Sequence, residues 1–377
     1  MITKQSGLRG SMLRVRGALA PALRAADALR GLHDGSFEAT VSTIDAKIEQ
    51  HTMKPKLRKL LYRPSNTRVL EIKPPIDPKT KQPYTPRKPL ANVAKADLAQ
   101  LVRAVETAAH MREVKRIFES VHLSGLSSVP AASAQQLTRR AALAGLFPQL
   151  SALVSIHSHL GLCFDVEGAQ EYLRAWLTRF DALGKGLHSV ERLPAVLKTL
   201  NQAVRANKAL DAQDDKYLAQ FPQFSGLAVA ALGVMRRNTA EPTPEQLERY
   251  QHLLASYLGV FRGFFDRLSR FEAELAVAAE PGHPKLRAAV SPLRPYAIDL
   301  GYVAEGLRAA ADEAALDADA RAWAATAAAD VAALHAQVVA AIDRHAGLYR
   351  HQLTAETYKA GARAEAPAEA DADAEAA

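Results

Sequence analysis

The stretch 243–271, TPEQLERYQHLLASYLGVFRGFFDRLSRF, decides the fold class. Its large side chains fall at Leu247, Tyr250, Leu254, Tyr257, Leu258, Phe261, Phe264, Phe265, Leu268 and Phe271. Most of those separations are three or four, which wraps a broad apolar face around an α-helix. Thr243 is placed to cap the first free N–H groups, Pro244 takes the first helical position, and Gln246 completes a capping box. The spacing predicts one helix over 244–279, with its aromatic stripe buried as core.

The same periodicity continues in both directions. Downstream, PGHP at 281–284 is a turn, and a helix over 286–310 is expected to kink at Pro292 and Pro295. An Ala-rich helix over 313–346 follows, faced by Leu316, Trp323, Val331, Leu334, Val338 and Ile342, with Gly347 as its cap. Upstream, Val93, Leu98, Leu101, Val102, Val105, Val114, Ile117, Phe118 and Val121 mark one long helix, or two that break near 109–111. Hydrophobic residues make up 48% of the 377-residue chain, and much of that is alanine, which loses no side-chain entropy in a helix; aromatics are only 6%. Period-two runs are hard to find, so the expected class is all-α. The single cysteine, Cys163, excludes a disulfide framework and a multi-cysteine zinc site. The most apolar run, GLAVAALGVM at 226–235, is half the length a membrane span needs, and no transmembrane segment is expected.

A shift of 36 residues lays the unit that begins after SSVPAAS (127–133) over the one before it. Leu101 falls on Leu137, Arg103 on Arg139, Ile117 on Leu153, and Gly125–Leu126 on Gly161–Leu162. A period in the mid-thirties marks helical-hairpin solenoids. The phrase TRRAALAGLFPQLSALVSIHSHLGLCFD, 138–165, resembles a pentatricopeptide repeat: a helix, a Gly-containing turn and a second helix. The resemblance spans about residues 96–170 and implies a role in organelle RNA metabolism. It assigns no base-reading positions.

The N-terminus has a different character. Residues 1–32 carry Lys4, Arg9, Arg14, Arg16, Arg24 and Arg30 against one acid, Asp27, with Leu8, Met12, Leu13, Leu19 and Leu23 spaced for an apolar helical face. That is the pattern of a mitochondrial presequence and predicts a matrix location. Of the formal net charge of +8, residues 1–95 hold 19 basic and 7 acidic side chains, net +12. Within them, residues 52–90 contain eight prolines and eleven Lys or Arg. The organisation expected is a presequence (1–32), an extended basic Pro-rich arm (33–90), a repeat-like helical region (91–240), a bundle of long helices (241–350) and an acidic, Ala-rich disordered tail (351–377).

No phosphate-binding glycine loop, nucleophile elbow or dinucleotide fingerprint is present; GKG at 184–186 lacks the partners of a Walker motif. His157, His159, Cys163 and Asp165 are of metal-ligating type, but residues two apart on a helix point about 200° from each other. His345 and His351 are expected in solvent or at a helix C-terminus, and Asp214–Asp215 at a helix start. No catalytic, metal or cofactor site is expected. The candidate site is RNA-binding: Lys54, Lys56, Arg58, Lys59, Arg63 and Arg68 for phosphates, with Tyr62 to stack on a base. The expected function is non-enzymatic, in organelle gene expression, with RNA or the mitochondrial ribosome as partner. The alternative is a protein-binding scaffold that assembles respiratory complexes. Its concave helical surface would hold protein partners, and its arm would touch anionic lipid at the inner membrane.

Overall fold

The run GLAVAALGVM, too short to span a bilayer, forms the helix at the centre of the body. The computed structural model describes residues 37–76, 81–126, 129–207, 217–280, 282–348 and 353–363. In chain order the helices are α1 (Phe37–Thr52), α2 (Pro55–Tyr62), α3 (Thr67–Ile72), α4 (Lys95–Arg103), α5 (Ala108–Leu123), α6 (Ala131–Leu143), α7 (Phe147–Ser155), α8 (His157–Leu160), α9 (Val166–Ala182), α10 (Arg192–Arg205), α11 (Pro222–Arg237), α12 (Pro244–Phe264), α13 (Glu272–Ala279), α14 (Leu286–Ala311), α15 (Ala318–Arg344) and α16 (355–363). Among the described residues there is no strand, only one isolated antiparallel bridge between Ile76 and Pro83. The all-α expectation holds.

Helix α11 touches α9, α12 and α14, and its residues from Phe224 to Leu232 are all buried. Its contact with α14 is made by small residues. A Cβ on Gly306 would sit 2.6 Å from the Cα of Ala230, and one on Gly233 would sit 3.0 Å from the Cα of Gly306. The two backbones therefore meet directly. Helix α15 then lies along α14, burying Ala324, Ala327, Ala328, Val331, Leu334, Val338 and Ala341. By length and composition α15 is the one helix among the described residues apolar enough to cross a membrane. Its apolarity is mostly alanine; it packs along α14, and its Trp323 meets Phe261 of α12 and Phe265 just beyond it. Pro292 and Pro295 lie inside α14, as the sequence indicated.

Two helix boundaries differ from expectation. The aromatic stripe does not run as one helix to 279: the chain leaves α12 at Phe264, makes a tight turn over Phe265–Arg267, and re-enters as α13 after Phe271, which is left-handed at φ 50°. The cause lies in α14. Tyr296 donates its hydroxyl to the Ser269 carbonyl at 2.6 Å, and the Phe271 ring sits 4.3 Å from the Tyr296 ring. Upstream, the break falls at 104–106 rather than 109–111, because Thr107 caps α5 by accepting from the His110 N–H at 3.2 Å.

The helical pairs α4–α5 and α6–α7 stack with first helix against first and second against second. Helices α6 and α7 also touch each other, and at α9 the chain turns into the bundle around α11. One contiguous hydrophobic core runs from Phe37 to Tyr358, so residue 240 is not a boundary between domains.

A buried ionic cluster, unannounced by any spacing along the chain, joins α9 to its neighbours. On α9, Glu171 and Arg174 are both buried. Arg174 grips Asp299 of α14 through two hydrogen bonds of 2.6 Å and donates to Glu171 at 2.7 Å. Arg139 of α6 donates to Glu171 at 2.7 Å, Gln170 donates to Asp299 at 2.6 Å, and the Tyr358 hydroxyl of α16 donates to Glu171. Burial alone would raise the Glu171 carboxyl; Arg174 and Arg139 outweigh it and hold the group below the usual carboxylate range. Four elements are tied through charges that are all partnered, the condition under which buried charge is tolerable.

The tail reading is corrected for 353–363. Tyr358 and Ala362 are buried, and Lys359 forms an ion pair with Asp181 at 2.7 Å. A side chain on Gly361 would run into the Ala142 carbonyl, so only glycine lets α16 sit against the end of α6. The presequence, Asp214–Asp215, His351 and residues 364–377 lie outside the described residues.

Candidate nucleic-acid interface

The arm expected over 33–90 is not one extended piece. Phe37, Thr40, Val41, Ile44 and Ile48 repeat at helical spacing, so α1 is part of the body: it packs on α4 and α5. Lys47 pairs with Asp97 at 2.7 Å, Asp45 takes Arg116 in a two-point contact at 2.8–2.9 Å, and Phe37 stacks on His110 with ring centres 4.0 Å apart.

The basic segment after α1 is already folded. Pro55 opens α2 at the first position, where a missing N–H costs nothing. Pro64 ends it by forcing Arg63 into an extended conformation, and α3 follows one turn later. Leu61, Tyr62 and Leu70 are buried together, with Met53, Leu57, Leu60 and Tyr84 against them. This cluster is separate from the main core.

The Pro-rich part, 73–76 and 81–94, is non-helical, as the sequence implied, but it is fastened down. The Arg87 N–H donates to the Leu61 carbonyl at 2.9 Å, and the Tyr84 N–H to the Pro75 carbonyl at 2.9 Å. Gln50 clasps Leu90 through both of its amide atoms, accepting at 2.8 Å and donating at 2.9 Å. The Arg87 side chain reaches Glu49 at 2.9 Å; its bond to Tyr62, with help from Glu49, holds the guanidinium above its ordinary value despite partial burial. The loop from 53 to 89 is therefore a small module pinned to the end of α1.

The module separates the predicted residues into two groups. Lys54, Lys56, Lys59, Arg63 and Arg68 are exposed and Arg58 is half-buried. Among the described residues none of these six is in an ion pair or a side-chain hydrogen bond. Several arginines of the body are paired with acids: Arg116 with Asp45 and Glu113, Arg237 with Asp181 and Glu305, Arg249 with Glu191, Arg262 with Asp319. Tyr62 is corrected: it is 8% exposed, so its ring faces are not open to a base. The apolar period Leu57, Leu60, Leu61 could have shown this, since Tyr62 extends the same face.

The other chemistry-bearing residues have local partners. His157 Nδ1 is 3.0 Å from the Val154 carbonyl, the Cys163 thiol donates to the Val129 carbonyl at 3.6 Å, and Asp165 caps α9 by accepting from the Gly168 N–H at 2.7 Å. Burial pushes the Cys163 thiol up. His345 Nε2 lies 2.7 Å from the carbonyl of Ala278, in the last turn of α13, so it meets the C-terminus of a different helix from the long one that it ends.

No curated protein matches the chain closely enough to count as a relative. A family model described as "MRP13-like N-terminal domain", of a mitoribosome-associated family, matches residues 23–104; it takes in α1, the whole basic module and α4, and overlaps the stretch that resembles a pentatricopeptide repeat only at its start, residues 96–104.

Proposed function

We propose that this chain is a non-enzymatic protein of the mitochondrial matrix that associates with the mitochondrial ribosome and acts in organelle translation. In this reading the basic module is its contact with ribosomal RNA. One observation carries the proposal: six unpaired cations, presented by a folded module, lie inside the segment that resembles a mitoribosome-associated family. Phosphates reward such cations without regard to sequence, because each contact releases condensed counterions. The rest of the chain offers no comparable surplus; residues 96–363 hold 29 basic and 28 acidic side chains. The module is also pre-folded, so less conformational entropy is lost on binding than an unstructured arm would lose.

The test is co-sedimentation with ribosomal subunits, before and after RNase, of the wild type and of Lys56→Glu/Arg58→Glu/Lys59→Glu. The variant is expected to leave the subunit fraction while keeping its thermal unfolding midpoint. Unchanged sedimentation of the variant, or a wild type that stays in the light fraction with no crosslink to RNA, overturns the reading in favour of an assembly scaffold.

A further inference from the structure

The module has a second face that RNA does not explain. Val69 is 56% exposed, Ile72 74% and Ile76 64%, and these are three of the six large hydrophobic residues standing exposed among the described residues. Leu70, between them, is buried in the module's own cluster, so α3 turns one side inward and presents Val69 and Ile72 outward. Ile76 follows four residues later and is held in place by its bridge to Pro83. Aliphatic side chains gain nothing from phosphates, and base stacking needs a flat ring. Exposed aliphatics grouped in this way mark a surface that meets another apolar phase.

The charges around the group identify that phase. Arg68, Lys73 and Lys81 are exposed near it in the chain, with Glu71 the one acid of this stretch among the described residues, and residues 54–81 as a whole hold nine cations against two acids, Glu71 and Asp77. A hydrocarbon layer lying just beneath a sheet of negative charge is the chemistry of an anionic bilayer surface. Aliphatics enter the headgroup–acyl boundary while Lys and Arg stay level with the lipid phosphates. We propose that the tip of the module, Val69, Ile72 and Ile76 with the collar of Arg68, Lys73 and Lys81, docks on an anionic lipid bilayer. The contact is peripheral and reversible, and it uses a different part of the module from Lys56, Arg58 and Lys59 on α2.

The test uses the full chain with phosphatidylcholine–phosphatidylglycerol vesicles and with phosphatidylcholine alone, read by vesicle flotation. The wild type is expected to float with the anionic vesicles and to stay behind with the neutral ones. Val69→Ser/Ile72→Ser/Ile76→Ser is expected to weaken vesicle binding at least about tenfold while keeping its unfolding midpoint and its sedimentation with ribosomal subunits. Lipid binding that is equal in wild type and triple variant, or absent in the wild type, overturns the proposal. A triple variant that loses the ribosome when the wild type binds no vesicle reassigns the tip to a protein pocket and also overturns it. Loss of ribosome binding by the α2 charge reversal bears on the RNA contact alone.

Discussion

Arg174 carries its charge where burial has stripped away nearly all water. Glu171 and Asp299 replace that water, and each carboxylate would be left in a low-dielectric interior if the guanidinium were removed. Arg174→Met is therefore expected to cost about 3–5 kcal/mol, measured by urea unfolding. Tyr358→Phe removes one hydrogen bond to the same cluster and is expected to cost about 1 kcal/mol. A third carboxylate, the half-buried Asp181, gives a pH signature. Burial would raise Asp181, but Lys359, Tyr302 and Arg237 outweigh it and hold the group below the usual carboxylate range. The unfolded chain then takes up the proton first. The stabilisation is complete above the ordinary carboxyl range and is lost as pH falls through the depressed folded value. Asp181→Asn is expected to be less stable at neutral pH and to show a flatter decline between about pH 6 and about pH 3, read from urea midpoints. None of this was legible along the chain. Glu171 and Arg174 are spaced like any surface pair on a helix, and Asp299 lies 125 residues beyond Arg174.

At the scale of elements, the tightest demand falls where α11 crosses α14. Gly306→Val places a branched side chain against the backbone of Ala230 and is expected to cost about 3 kcal/mol or more, seen as a lower thermal midpoint. Gly361→Val makes a similar conflict with the carbonyls ending α6, but at a peripheral helix. It is expected to raise amide exchange in 355–363 while leaving α11 protected. Periodicity located most of these elements: α12 begins at its capping box as read, and α14 carries both prolines inside it. Periodicity placed Leu268 and Phe271 on the face of α12 but gave no sign that Tyr296 would turn the chain between them. It also missed α1, because the prolines and lysines after residue 52 drew the whole of 33–90 into one compositional class.

The whole molecule divides charge between two parts. The body is close to neutral and pairs several of its arginines internally, while the module carries a large excess of cations and pairs almost none of them. Ribosome affinity is therefore expected to fall steeply with salt. Six phosphate contacts of the single-strand type correspond to a log–log slope of about −4, and reversing three cations removes about half of it. Salt titration of sedimentation measures both. The charge asymmetry was plain in the sequence; that the cations sit on a folded, clasped loop was not, because the clasp joins Gln50 to Leu90 across forty residues.

The ionic cluster beneath α16 also sets an order of events in time. Tyr358 and the carboxylate it reaches are separated by 187 residues, so the cluster stays open until residues 355–363 have arrived. A chain that emerges N-terminus first can assemble α1 with α4 to α7 early, from contacts close in sequence. Helix α9 must meanwhile hold Glu171 and Arg174 beside water, where both charges are hydrated at little cost. The interior closes around them only with the arrival of α14 and α16. A protein built this way remains pliable through most of its synthesis or its passage across a membrane, and gains its rigidity at the end.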